Sequence, residues 1–379
     1  MHKVKDEFMQ ELQIEQLRPI ELPQLPKNPL VSVLIANYNY ERYIEETLES
    51  TLSQTYPHFE VIVCDDGSKD NSCEVIERYV QKDSRIKLIR QPNGGVASAL
   101  NTVYRHSSGE ILCLLDADDV WMSNKLEKTV AAFQSQPKSG FIIHDVFQID
   151  GQGELIKPTP MVQNLASGWM ALSALDNGGY VDRIPPASAL SIRREVAQLI
   201  FPMNEAFTRN ADSLIFRLAP FVTEIGSVSE VLSKFRLHGA NLTSFTSLTA
   251  NILEREHETA KRVHQEQKQF LKKIYGPEVA QRLAGLEANA WHYHNLYLLA
   301  RFKGTPKSEI REIHRQLVAH PKFHQTFVYK PLKFLLQWGA NLPNPLFFAV
   351  FYQISRESEL KRLARFIQRG ALALFKFKR

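Results

Sequence analysis

At 379 residues and 44% hydrophobic content, the chain can form one large domain with an appendage, or two domains, and its composition excludes a disordered chain. Arg356 to Arg379 holds eight Lys or Arg against Glu357 and Glu359, a net of +6, whereas the whole chain carries +5. The basic excess therefore lies in the tail, and a pI near 8.9 is no argument for a nucleic-acid-binding body.

Residues 1–29 read as a polar amphipathic leader that ends in the Pro-rich connector "LRPIELPQLPKNP", and the start lacks the apolar core of a signal peptide. From Leu30 the pattern becomes α/β. "VSVLIA" predicts a buried strand, and "ERYIEETLESTLSQ" predicts a helix with Ile44, Leu48 and Leu52 on one face. "FEVIVC" is a second strand, "DDGSKDNS" a turn with helix-capping residues, and Val75, Ile76, Tyr79 and Val80 form the stripe of the next helix. "IKLIRQ" is a third strand, "PNGG" a turn, Val96 to His106 a helix, and "EILCLL" a fourth strand. Strands alternating with helices at this spacing imply a mostly parallel sheet covered on both faces. Cys64 and Cys113 fall within these strands, and with Cys73 they are too scattered for a disulfide framework; reduced thiols favour a cytoplasmic setting.

Ligands of such sheets bind at the carboxyl ends of the strands. That rule gathers "ANYN" (Ala36 to Asn39), "DDGS" (Asp65 to Ser68) and "DADD" (Asp116 to Asp119) along one edge. Three carboxylates after the apolar run "EILCLL" repel one another, so either they form a solvated turn or a positive partner sits among them.

The run from Val31 to Trp121, with its "ANYN", "DDGS", "NGG" and "DADD" words, resembles the family 2 glycosyltransferases, and the likeness continues more loosely to about residue 245. The resemblance implies a glycosyltransferase-A-type sheet flanked by helices and an inverting transfer from a nucleotide sugar, with a UDP-sugar the expected donor. It implies nucleotide contacts at Ala36, Tyr38, Asp65, Asp66, Gly95, Asn101 and Asp116, with Asp66 able to accept the imide N–H of a uracil. "DADD" matches the family's Asp-x-Asp signature, which makes Asp118 and Asp116 ligands of Mn²⁺ or Mg²⁺. "FRLHGANLTS" is similar to the family's Arg-x-His-x-x-Asn element, placing His238 near the metal and, with Arg236, near the diphosphate. In "RNADSLIFRLAP" the family often carries an acidic pair; here Ala211 precedes Asp212, which is either the general base for the acceptor hydroxyl or a helix N-cap. Leu100 departs from the family's common arginine before Asn101. Arg193 and Arg194 are either phosphate contacts or surface charges.

After residue 245 the chain reads as helical to about 330, with Leu253, Ala260, Val263, Phe270 and Ile274 as apolar positions. His257, His264, His292 and His294 invite a metal reading, but His292 and His294 are two apart and face different ways on a helix. Residues 331–379 are apolar and then basic. Leu360, Leu363, Ala364, Ile367, Ala371 and Leu374 align beside Lys361, Arg362, Arg365 and Arg369, which fits either a helix on an anionic membrane surface or one packed on its own domain. The expected organisation is a leader over 1–29, a catalytic domain over 30–245, a helical region over 246–330 and the tail. Two functions remain open: a metal-dependent transferase acting on a glycan or lipid-linked acceptor at the inner face of the cell membrane, or a nucleotide-sugar-binding protein without turnover. No nucleic-acid partner is expected.

Overall fold

The computed structural model describes residues 17–238, 248–327 and 329–355. The first sixteen residues, the segment that follows His238 and the amphipathic tail over 356–379 lie outside the described residues.

The described chain forms two compact units, one comprising 17–238 with 262–285 and the other 248–261 with 286–355. The first is built on an eight-stranded sheet of order β3-β2-β1-β4-β7-β6-β8-β5. Strands β1 (Val31–Asn37), β2 (Phe59–Asp65), β3 (Ile86–Arg90) and β4 (Ile111–Leu114) pair in parallel, joined by helices α1 (Ile44–Leu52), α2 (Ser72–Lys82) and α3 (Val96–Arg105). Every residue of β2 is buried, as in a strand covered on both faces, which is why Val61 to Cys64 read as an unbroken apolar run.

Successive side chains on these strands enter opposite cores. Leu34, Ile62, Leu112 and Leu114 pack with Ala97, Leu100 and Val103 of α3. Val33, Ile35, Val61, Val63 and Ile111 pack instead with Ile44 and Leu48 of α1, Val75 and Ile76 of α2, and Leu126, Val130 and Phe133 of helix α4 (Lys125–Ser135). Beyond β4 the sheet is mixed. The short β5 (Val120–Trp121) pairs antiparallel with β8 (Glu224–Leu237), β7 (Leu190–Arg193) lies antiparallel to β4 and to β6 (Ser139–Asp150), and β6 runs parallel to β8, which the short helix α5 (Ser213–Leu218) precedes.

The chain divides differently from the sequence expectation at both ends of this unit. Residues 17–29, expected to be leader, lie along the body: Leu17 enters the core, the Ile20 N–H donates to the Val222 carbonyl at 2.8 Å, and Arg193 donates to the Pro23 carbonyl at 2.9 Å. The boundary expected at 245 is crossed by residues 262–285, because Val263, Phe270, Leu271, Val279 and Leu283 extend the core shared with the sheet.

Behind the first four strands lies a buried polar cluster. Lys125 donates to Ser191 Oγ at 3.1 Å with its ammonium 4.0 Å from the centroid of the Trp121 ring. Burial, reinforced by the Lys125 charge, pushes the neighbouring His144 down to about 3 from an ordinary 6.5. An unfolded chain therefore binds the extra proton first. The stabilisation from neutral His144 is complete above about pH 6.5 and is lost as pH falls toward 3. Melting curves should lose ~2 kcal/mol less between pH 7 and pH 5 for His144→Gln than for the unaltered chain.

The second unit is helical, with the first part of α6 (Ala250–Tyr275) joined by α7 (Ala290–Lys303), α8 (Lys307–Ala319), α9 (Lys330–Trp338) and α10 (Asn344–Ser355). Tyr297, Leu298, Leu317, Phe323, Leu336, Phe347 and Phe351 form its core. Arg301 is buried there because its guanidinium donates to the Gly339, Ala340 and Leu342 carbonyls and to Asn344 Oδ1, at 2.7 to 3.1 Å. No helix among the described residues is long and apolar enough to cross a membrane.

Candidate active site

The first four strands reverse their spatial order at β1 and β4, and the acidic turn follows β4 at its carboxyl end. Oxygens of Asp116, Asp118 and Asp119 lie within 4.8 Å of one another, which is the converging group of three metal-capable side chains among the described residues. Burial, with Asp118 and Asp212 nearby, drives the Asp116 carboxyl well above its ordinary value. Asp119 is raised for the same reason, burial first and then Asp118 and Asp116. Negative charge is thus crowded at this turn, a condition that a bound divalent cation relieves.

The three carboxylates do different work. Asp119 spends both oxygens internally, accepting from the Ser188 hydroxyl at 2.6 Å and the Arg236 N–H at 2.8 Å, so it braces the turn. Ser188 Oγ also accepts from the Asp116 N–H at 3.0 Å. The Thr47 hydroxyl of α1 lies within 3.0 Å of the Ala117 and Asp119 carbonyls. Asp116 is partly exposed, and Asp118 lies buried beside it. His238 lies outside the converging carboxylate group, but its Nε2 is 2.9 Å from Asp118 Oδ2, and its ring stacks on Tyr43 at 4.8 Å and meets the edge of Tyr40 at 6.1 Å. Arg236 does not stand as the free diphosphate contact expected of it. Its buried guanidinium donates to the Asp118 carbonyl at 2.7 Å and pairs with Glu46 at 2.5 Å, so it holds the acidic turn from behind.

The nucleotide-side residues line the same edge. Ala36 ends the buried run of β1, and Tyr38, just past the strand, is 43% exposed, which leaves an aromatic face open. Asp65 accepts from the Ser68 N–H at 3.0 Å and the Asn37 amide at 2.8 Å. Burial would raise its carboxyl, but the Ser68 and Asn37 bonds prevail and hold it below the ordinary value. Asp66 accepts from the Gly94 and Gly95 N–H groups at 2.9 and 2.8 Å and from the Gln91 amide at 2.7 Å. A carboxylate offers about four acceptor positions, so one remains for a ligand N–H.

Gly95 and Asn101 have a task that spacing did not reveal. Gly95 sits at φ +85, and a Cβ there would come within 2.6 Å of Thr208 Cα. That close approach lets the Phe207 and Thr208 carbonyls accept from the first N–H groups of α3. The Asn101 amide donates to the Met203 carbonyl at 2.9 Å and accepts from the Met203 N–H at 2.7 Å. Both residues therefore anchor the loop that leads to Asp212, a different task from the nucleotide contact expected of them.

Asp212 opens the short helix Ser213–Leu218, yet its side chain makes no capping hydrogen bond there. Burial pushes its carboxyl up to about 6, offset only partly by the backbone N–H groups of Asp212 and Ser213. Its charge is felt at Asp116, which places it on the acidic edge. Ala211, where the family often has a second acid, is fully buried in the core, as is Leu100. Arg193 and Arg194 belong to the opposite edge of the sheet. Arg193 pairs in register with Ile111 at the start of β4, and Arg194 donates to the Gly109 carbonyl at 2.6 Å, so neither is a phosphate contact. The helical histidines form no three-ligand group among the described residues.

Sequence reasoning missed Tyr40, Tyr43, Glu46 and Ser188. The charges of Asp118, Asp116 and Asp119, after burial, raise the Tyr40 phenol. Ser188 lies about seventy residues from the carboxylates it joins, and only the pairing of β7 with β4 brings it there.

An α/β sheet of this order with an Asp-x-Asp turn at the carboxyl ends of its strands is the glycosyltransferase-A arrangement. A fragment of S. aureus TarS crystallised with UDP-GlcNAc shares the fold, with a TM-score of 0.50 and 16% identity over 83% of this chain and 88% of that one. Residues 32–197 match the family model for glycosyl transferase family 2, so this stretch of the chain carries a domain of that family. An uncharacterized glycosyltransferase of Nostoc sp. is 37% identical over 213 residues, 56% of this chain and 66% of the relative. The Escherichia coli UDP-Glc:alpha-D-GlcNAc-diphosphoundecaprenol beta-1,3-glucosyltransferase WfgD is 41% identical over 103 residues, 27% of this chain and 40% of that protein. The chain thus spans less than two thirds of the length of these curated relatives.

Proposed function

We propose that this chain transfers a sugar, with inversion, from a nucleotide sugar to a glycan or lipid-linked acceptor in cell-surface polysaccharide synthesis on the cytoplasmic side. The carrying observation is the convergence of Asp116, Asp118 and Asp119 with the burial-raised Asp212 on one edge of the sheet. Asp118 and Asp116 would hold Mn²⁺ or Mg²⁺, hard cations suited to carboxylate oxygens, which supply charge neutralisation to a leaving diphosphate. A uridine donor fits the remaining acceptor position of Asp66 and the open ring of Tyr38. His238, held between Tyr40 and Tyr43, keeps Asp118 oriented. Asp212 takes the proton of the acceptor hydroxyl as it attacks, and no covalent enzyme intermediate is formed. The donor named for WfgD, UDP-Glc, agrees with this reading.

Thermal-shift measurements across nucleoside diphosphates and sugar nucleotides test it. One nucleotide class should raise the melting temperature only when Mn²⁺ or Mg²⁺ is present, because ligand binding stabilises by mass action. No shift with any nucleotide and either cation would overturn the proposal. The buried Ala211, standing where the family often has an acid, favours a second reading, a binding protein without turnover. Tight metal-dependent binding with no transfer to a broad acceptor panel would establish that reading instead.

A further inference from the structure

Among the described residues, the second unit leaves an aromatic face exposed. Helix α9 buries Leu335 and Leu336 against its own core, while Phe334 and Trp338, four residues apart and so on one face, are 67% and 65% exposed. Tyr329 and Leu346 are also exposed, and an apolar trough of about 660 Å³, reaching Val350 of α10, lies beside the two aromatic rings. Isolated exposed apolar residues are ordinary, whereas a contiguous patch marks an interaction surface.

Charge selects the partner. From Ile313 to Ser355 there is no Asp or Glu, and the Lys and Arg residues are Arg315, Lys322, Lys330 and Lys333. Lys330 and Lys333 precede Phe334 in sequence, and the chain beyond continues with the +6 segment from Arg356 to Arg379. An apolar trough lined by Lys330, on a helix that also carries Lys333 and in a stretch with no carboxylate over 43 residues, complements anionic lipid phosphates. Trp and Tyr favour the bilayer interface, and apolar insertion joined to a polybasic segment supplies the two signals that stable peripheral attachment requires.

We propose that the α9–α10 face docks on an anionic bilayer surface. Phe334 and Trp338 enter the interfacial layer, and Lys330 and Lys333 engage lipid phosphates. The inference goes beyond the sugar-transfer reading and does not depend on it, since its assay measures no catalysis.

The full chain is sedimented with vesicles of phosphatidylcholine alone, or of phosphatidylcholine mixed with phosphatidylglycerol, at low and high salt. Binding should require phosphatidylglycerol and weaken with salt. The double substitution Phe334→Ser, Trp338→Ser should cut the partition coefficient by at least about tenfold, from the apolar area no longer transferred out of water. Because both side chains are exposed, the melting temperature should hold. Lys330→Glu with Lys333→Glu, which leaves the aromatic face intact, should lower binding to anionic vesicles at low salt. A chain that ignores phosphatidylglycerol vesicles overturns the proposal, as does undiminished binding by the serine variant, which would assign attachment to the basic segment alone. A dimer in solution that the serine variant converts to monomers also overturns it, since a second copy would then cover the face.

Discussion

Asp118→Asn should abolish transfer and the cation-dependent part of nucleotide binding while leaving the unliganded protein at least as stable as before. The two halves of this result have one cause. Asp118 adds to the burial that raises Asp116 and Asp119, so removing its charge relieves repulsion in the unliganded turn. The amide keeps the shape, and the Asp118 carbonyl still accepts from Arg236 Nε at 2.7 Å. A hard cation loses a charged oxygen ligand, however. Even partners one step removed from a metal typically cost 10- to 100-fold in affinity, so a direct ligand should cost about a hundredfold or more. The melting temperature without ligand should hold or rise, and its increase with Mn²⁺ and nucleotide should disappear. Undiminished transfer by the variant in chelator-treated buffer would overturn the metal assignment.

The first half of the sheet was legible in the sequence because its strands are covered on both faces and each crossover helix has an apolar stripe. β1, β2 and α3 start at the residues where the pattern begins, Val31, Phe59 and Val96. The later strands were less legible. β5 has two residues, and β7 joins the sheet antiparallel between β4 and β6, a placement that no local pattern encodes. The same distinction holds at the candidate site. Short motifs marked the carboxylates, whose chemistry is local. The groups that orient them, Ser188, Glu46 and Arg236, come from distant strands and helices, and their roles follow from tertiary pairing. Asn101 shows this most directly: the resemblance implied a nucleotide contact, and only the folded chain reveals that its amide ties down Met203, 102 residues away.

In the proposed transfer, acceptor chemistry turns on Asp212, which follows that tied-down loop. As a general base it should contribute about 10²- to 10⁴-fold to the rate and little to donor affinity, because it contacts the acceptor hydroxyl rather than the diphosphate. Asp212→Asn should therefore lower kcat by at least about a hundredfold while metal-dependent nucleotide binding stays near that of the unaltered chain. With the carboxyl at about 6, the proton-accepting form is lost as pH falls through that value, so kcat/KM should fall on the acid side. The residual rate of the variant should lack that limb. A structural role gives the opposite pattern. Were Asp212 a helix cap, Asp212→Ala would cost about 1 kcal/mol of stability and lose binding in proportion to folding, while Asp212→Asn, whose amide caps equally well, would keep both stability and rate. The absence of a capping hydrogen bond argues against that outcome, because a side chain that makes no cap has no cap to lose.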